Sequence, residues 1–233
     1  MQAADEYIIE EEKEGETDLS IDFAALKAVN PEICGWLVVD GTDISYPIVH
    51  GTDNDKYLKT AFDGSASNNG CIFMNCYNAP DFSDQHTLIY GHHMRNGSMF
   101  GKLPDFKDPE YMQSHRYFHI YTENGVLDYE IFSAFVTYSA SFVYTDHFEY
   151  SWDFYDFAQK CAESSIVDLG VELKEDDRIV TLSTCNSRGN RSERFVVMGK
   201  YMKEEGSDPG SVTDAPQTDA LTEEAPPAET QGQ

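Results

Sequence analysis

No apolar run in the 233-residue sequence approaches the ~20 residues a membrane-spanning helix requires. The first stretch, Met1–Glu16, has neither the basic segment nor the apolar segment of a secretory leader. Basic side chains are scarce, 16 lysines and arginines against 42 acids, a formal net charge of -26. A chain so acidic is repelled by nucleic acid and by anionic lipid, which excludes broad electrostatic binding to either. Cysteine is sparse and odd in number, five in all (Cys34, Cys71, Cys76, Cys161, Cys185). That is far from a disulfide framework, and at least one thiol has no intrachain partner. Metal-site spacings such as CxxC or HExxH do not occur, and Cys71, Cys76, His92, His93 and Cys185 are the residues a zinc site would have to draw on. No carboxylate pair is singled out among the many acids, and no internal repeat is visible.

The acidity is concentrated at the ends. Residues 1–22 hold nine acids against one lysine, and residues 204–233 hold eight acids and no base, which leaves 23–203 at a net charge of -10. Residues 1–18 lack periodicity and read as a disordered acidic arm. Residues 204–233, rich in Pro, Thr, Glu, Ala and Gln, read as a disordered acidic tail. Between them, 19–203 is sized for one domain, with 40% hydrophobic and 13% aromatic residues across the whole chain to build its core.

Within that domain, Leu19 to Val29 has helical spacing and stops at Asn30-Pro31. Eight segments rich in β-branched and aromatic residues then read as strands: Gly35–Val39, Tyr46–Val49, Gly70–Asn75, Thr87–Tyr90, Tyr117–Tyr121, Val126–Tyr138, Arg178–Thr184 and Arg194–Tyr201. Turn residues punctuate them. Short helices are expected over Ser98–Lys102 and Pro109–His115. A longer one is expected over Ser151–Ser164, capped by Ser151, with Phe154, Phe157, Ala158 and Cys161 as its buried stripe. Many short strands with few helices predict a mainly β fold with flanking helices, closed into a barrel.

Chemistry concentrates in two places. In Arg178-Ile-Val-Thr-Leu-Ser-Thr-Cys185, alternation puts Thr181, Ser183 and Cys185 on one face and Val180 and Leu182 on the other. Cys185 therefore ends a strand on its more polar face, before a loop carrying Arg188 and Arg191, a setting that favours the thiolate. Arg194 opens the following strand, opposite Cys185 if the two strands pair, where a guanidinium can meet a developing oxyanion. The second place is the strand Thr87-Leu-Ile-Tyr90 followed by Gly91, which permits a sharp turn and leaves His92 at the strand end. A Cys–His pair supplies a thiol nucleophile and a proton donor for a leaving amine. The other histidines, His50, His86, His115, His119 and His147, read as packing or surface residues.

Taken together, these segments resemble the sortases, the cysteine transpeptidases of Gram-positive cell surfaces. The telling stretches are Thr181-Leu-Ser-Thr-Cys185, Arg194-Phe-Val-Val197 and Leu88-Ile-Tyr-Gly-His92. Asn30-Pro-Glu-Ile-Cys-Gly-Trp-Leu37, Asp43-Ile-Ser-Tyr-Pro-Ile48 and Tyr90-Gly-His-His-Met-Arg-Asn-Gly-Ser-Met-Phe-Gly101 are similar to class B segments, as is the helix placed before the Cys-bearing strand. The resemblance spans about 19–202 and neither tail. It implies a closed barrel of about eight strands with an N-terminal helix. It also implies Cys185 as nucleophile, His92 as general acid/base and Arg194 as oxyanion or substrate-positioning group, with Ser183, Thr184 and His93 as weaker substrate contacts.

The substrate implied is a sorting signal of the Asn-Pro-X-Thr-Asn/Gly type on a secreted surface protein, cut after Thr and joined to a cell-wall peptide amine. For class B enzymes the resemblance also implies, often, clients involved in haem uptake. No cofactor is implied. An N-terminal membrane anchor is implied that this sequence does not contain, and the acidic tail is a further departure. Three alternatives compete. A pilin-polymerising enzyme of the same fold usually has an Asp-Pro-aromatic lid, which the residues before Asn30 lack. A peptide-binding module without catalysis has no need of His92, Cys185 and Arg194 together. A papain-like hydrolase places its cysteine at a helix N-terminus, ahead of its histidine, the reverse of the order here.

Overall fold

The computed structural model describes residues 4–13, 16–185 and 192–202. The expected tail over 204–233, and Arg188 and Arg191, lie outside the described residues. Eight strands close into a barrel: β3 (Ile33–Val39), β4 (Ser45–His50), β5 (Phe73–Met74), β6 (His86–Tyr90), β7 (Tyr117–Thr122), β8 (Gly125–Tyr138), β9 (Ile179–Cys185) and β10 (Glu193–Tyr201). Their order around the barrel is β10-β8-β7-β3-β4-β5-β6-β9. Most neighbours are antiparallel, but β4–β5 and β6–β9 run parallel. The second of these parallel pairs builds the functional end of the molecule. Closure leaves no free barrel edge, so every strand pairs on both sides.

The interior is filled by alternate residues of the strands, among them Leu37, Ile48, Ile89, Phe118, Ile131, Leu182 and Phe195. Gly199 on β10 shows how tight this filling is. A methyl group there would fall 2.2 Å from the ring of Phe118, which lies stacked on Tyr129 at 4.9 Å. Glycine lets the ring lie against the strand, and β10 shifts register at that point. A second cluster packs α3 (Ser151–Glu163), the helix after the short α2 (Pro109–Ser114), on the outer face of β8–β10 through Phe154, Phe157, Ala158 and Cys161, all buried as the periodicity predicts. A third joins α1 (Phe23–Val29) to Trp36, Tyr57 and Phe73.

Five local expectations need correction. Residues 1–18 carry order among those described: a 3-10 turn at Ala4–Tyr7, then β1 (Ile8–Lys13) paired antiparallel with β2 (Glu16–Ile21). The alternation Thr17-Asp-Leu-Ser-Ile21 has period two, and acidity masked it. The first helix consequently starts at Phe23 rather than Leu19, because the Asp22 side chain accepts the Ala25 N–H at 2.9 Å and sets the boundary.

The strand expected over Gly70–Asn75 is only Phe73–Met74, and Cys71 and Cys76 lie on either side of it. Gly70 stands at φ +66° before it, and the Asn75 side chain accepts the Tyr77 N–H after it. Ser98–Lys102 is not helical: Gly97 and Met99 both have positive φ, and a 3-10 turn follows at Leu103–Lys107. Ser151 is the first helical residue rather than the cap. Tyr150 takes the cap position, and the Ser151 hydroxyl donates to Glu175 at 3.0 Å.

On the barrel's outer surface His119 lies between two carboxylates, Nδ1 at 2.6 Å from Asp128 and Nε2 at 3.1 Å from Asp40. Burial lowers its pKa, but the bonds and charges of Asp128 and Asp40 outweigh burial and raise it above 6.5. A raised folded-state value gives stability that is complete below the unfolded pKa and is lost as pH rises through the folded one. His119→Gln is therefore expected to lower the melting temperature more at pH 5.5 than at pH 8.5. An equal drop at both pH values would leave His119 a packing residue only.

Candidate active site

The parallel pairing of β6 with β9 runs from His86 opposite Ile179 to Tyr90 opposite Ser183. The Gly91 N–H extends it by donating to the Ser183 carbonyl at 3.1 Å. Two residues beyond Tyr90 stands His92, and two beyond Ser183 stands Cys185, so the two strands end side by side. On the other flank of β9 the antiparallel register with β10 puts Arg194 directly opposite Cys185. Two regions far apart in sequence, β6 and the consecutive pair β9–β10, thus deliver His92, Cys185 and Arg194 to one end of the barrel.

Gly91 is needed for this arrangement. A Cβ at that position would fall 2.4 Å from the Phe100 ring and 2.6 Å from Ile72, both buried. The chain turns over this apolar floor and presents His92 to solvent, while the His92 carbonyl accepts the N–H groups of Met94 and Phe100. His93 turns away to pair with Met99 in an isolated bridge, and it is absent from the lining of the cleft beside it.

That cleft encloses about 370 Å³. Tyr90, His92, Ser183, Thr184 and Arg194 line it, together with Asn54, Tyr57, Leu58, Ser139 and Tyr144. The Tyr144 and Ser183 hydroxyls share a hydrogen bond at 2.9 Å, and the Tyr90 and Tyr144 rings stack at 6.4 Å. Burial pushes the Tyr90 phenol up, reinforced by Tyr144, Asp146 and Cys76 and opposed by the Arg194 charge, so it stays protonated. The Thr184 hydroxyl is buried with no hydrogen-bond partner among the described residues, and it belongs to the cleft lining. A larger hollow of about 640 Å³ lies beside it, walled by Asp5, Asp43, Asp63 and Tyr46 and touching the cleft at Cys71. Among the described residues no histidine or arginine lines it, whereas His92 and Arg194 line the smaller cleft.

Of the other cysteines, burial pushes Cys34, Cys71 and Cys161 up to about 12, which keeps them as thiols at neutral pH. Of the predicted site residues, the structure brings His92, Ser183, Thr184 and Arg194 into one cleft and brings the backbone of Cys185 to its end, while His93 stands aside. Tyr144, Asn54 and Leu58 were not foreseen. Tyr144 sits in the short turn Phe142–Tyr144, where three apolar residues give no periodicity to read.

A cysteine-bearing strand paired with an arginine strand on one side and a histidine strand on the other, in a closed eight-strand barrel, is the arrangement of a cysteine transpeptidase. The sortase domain family matches residues 37–202, and the chain belongs to the sortase family. Within it the similarity is to sortase B. The sortase B of Listeria monocytogenes is 35% identical over 180 residues, 76% of this chain and 72% of that protein. A sortase B structure from Bacillus anthracis superposes with a TM-score of 0.74 at 34% identity, covering 85% of this chain and 91% of that one. A substrate complex of Staphylococcus aureus sortase B superposes at 0.73 and 30% identity, covering 78% of this chain and 84% of the other. Among the described residues no helix is long and apolar enough to cross a membrane.

Proposed function

We propose that this sortase-family transpeptidase cuts a sorting signal of the Asn-Pro-X-Thr-Asn/Gly type after its threonine and joins the new acyl end to a cell-wall peptide amine. It would act on secreted surface proteins at the outer face of a Gram-positive cell membrane, with residues 19–203 as the catalytic unit. The observation that carries this reading is the register that sets Arg194 opposite Cys185, beside the strand that ends at Tyr90, two residues before His92.

The Cys185 sulfur attacks the threonine carbonyl, and the carbonyl electrons move onto oxygen. Arg194 donates hydrogen bonds to that oxyanion. As the tetrahedral species collapses, the carbon–nitrogen bond breaks and His92 gives its proton to the departing amine, leaving a thioester on Cys185. The incoming amine then attacks the thioester, His92 takes its proton, and the Cys185 sulfur leaves. Thr184 offers its unpartnered hydroxyl to the bound peptide backbone, and Ser183 is held by Tyr144. The cleft wall of Tyr57, Leu58 and Tyr144 limits water access, which favours the amine over hydrolysis. The substrate complex of the S. aureus neighbour supports peptide binding in a fold of this kind.

Incubating the purified protein with an Asn-Pro-Gln-Thr-Asn-type peptide and a glycine-peptide amine tests the reading. Mass spectrometry is expected to find a thioacyl adduct mapped to Cys185 and a joined product. Cleavage with no joining would overturn the acceptor, and absence of any adduct across a panel of signals would overturn the reaction.

A further inference from the structure

Behind the cleft, His86 is a fully buried histidine on β6 that the reaction does not use. Its Nδ1 lies 2.6 Å from the Thr145 carbonyl and its Nε2 lies 2.7 Å from the Thr181 hydroxyl. A carbonyl only accepts, so the proton is on Nδ1. Burial lowers the pKa to about 4, against the opposing bond to Thr145 and the charges of Asp146 and Asp84, so the ring is neutral. Nε2 is therefore bare and accepts the Thr181 hydroxyl proton. The ring also packs on Phe157 of α3 at 4.8 Å between centroids. One imidazole thus ties three separate pieces together: the strand pair β6–β9, helix α3 and the turn ending at Thr145.

That turn is the cleft wall. Tyr144 immediately precedes Thr145, contacts Ser183 by hydroxyl and stacks with Tyr90. Asp146 immediately follows and accepts from the Asn75 amide at 3.1 Å, while the Asn75 carbonyl oxygen accepts from Asn54 at 2.9 Å. Asn54 lines the same cleft. Two segments lining the cleft are therefore joined by a polar chain, Asn54–Asn75–Asp146; Asn75 also donates its N–H to the Leu88 carbonyl of β6, and Thr145, next to Asp146, is held by His86.

We propose that His86 is a positioning residue for this site: its hydrogen bond to the Thr145 carbonyl fixes the Tyr144 wall against β9 and so sets the width of the peptide cleft. The inference rests on the reading of this cleft as the sorting-signal site. His86 does not touch the reacting atoms, so its loss acts on how well the peptide is held rather than on the cysteine.

The test uses two variants, the sorting-signal peptide and the whole chain. His86→Leu keeps volume and removes both hydrogen bonds. His86→Asn keeps a donor at the Nδ1 position and loses only the Thr181 bond. His86→Leu is expected to raise KM about tenfold with kcat within about twofold. The rate at which iodoacetamide alkylates Cys185 stays unchanged. His86→Asn is expected to recover most of the KM although its smaller side chain costs stability. KM that follows the melting temperature of the two variants, or stays at the wild-type value in His86→Leu, would overturn the positioning role. If His86→Leu does not fold, His86→Met, which also removes both hydrogen bonds, takes its place: KM at the wild-type value, or a kcat loss with KM unchanged, would overturn the positioning role. Failure of the wild-type protein to turn over the peptide at all would instead strike the proposed function.

Discussion

Replacing Cys185 with alanine is expected to lower turnover of the sorting-signal peptide at least ~10⁴-fold, with the melting temperature within about 2 °C of the wild type. Covalent catalysis disappears with the sulfur, and the three thiols pushed up by burial are poor substitutes for it. Cys34, Cys71 and Cys161 are held as thiols by burial, and Cys71, which shares the cleft lining, is pushed up to about 12. The fold barely registers the change, because the β9 backbone at this position is held by its ladder to β10. His92→Ala is expected to lose a comparable factor, since the leaving amine then departs unprotonated. The double variant is expected to be no worse than either single one, because nucleophile and proton donor act as a unit. Steady-state assays of purified variants check all three. Turnover above about 1% in Cys185→Ala would move the nucleophile elsewhere, with Cys71 the first residue to examine.

Much of this site is legible in the sequence because strand ends announce themselves. Period-two alternation from Val180 to Cys185, and the abrupt Tyr90-Gly91-His92, locate two of the three groups without any tertiary information. All eight barrel strands coincide with segments rich in β-branched and aromatic residues, and the α3 stripe follows from its spacing. Illegible features are those that depend on partners distant in the chain. Tyr144 becomes a cleft wall only because Ser183, 39 residues away, meets its hydroxyl, and His86 becomes a brace only through Thr145 and Thr181. The β1–β2 hairpin was hidden for another reason. Its acids read as a solvated arm, yet extended strands place alternate charges on opposite faces and tolerate them. Short elements mislead most: the Ser98–Lys102 stretch has helical composition, but positive φ at Gly97 and Met99 breaks it.

Arg194 carries the second large expectation. Arg194→Ala is expected to lower kcat by about 10²–10³ with a smaller change in KM, the pattern for a donor used mainly when charge develops on the substrate oxygen. Its place is fixed by structure on both sides. The register sets it opposite Cys185, its guanidinium donates to the Glu193 carbonyl at 3.1 Å, and its charge reaches the Tyr90 phenol in the cleft lining. A guanidinium is planar and carries its N–H donors in a fixed fork, and that geometry is what a forming tetrahedral oxyanion needs. Lysine keeps the charge and loses the plane, so Arg194→Lys is expected to recover less than a tenth of the lost activity. Single-turnover acylation of Cys185, followed by mass, separates the two explanations. A slowed acylation step in both variants places Arg194 at the oxyanion. Full recovery by lysine would reduce its part to a positive charge near the cleft, and an unchanged acylation rate with raised KM would make it a contact for the bound peptide.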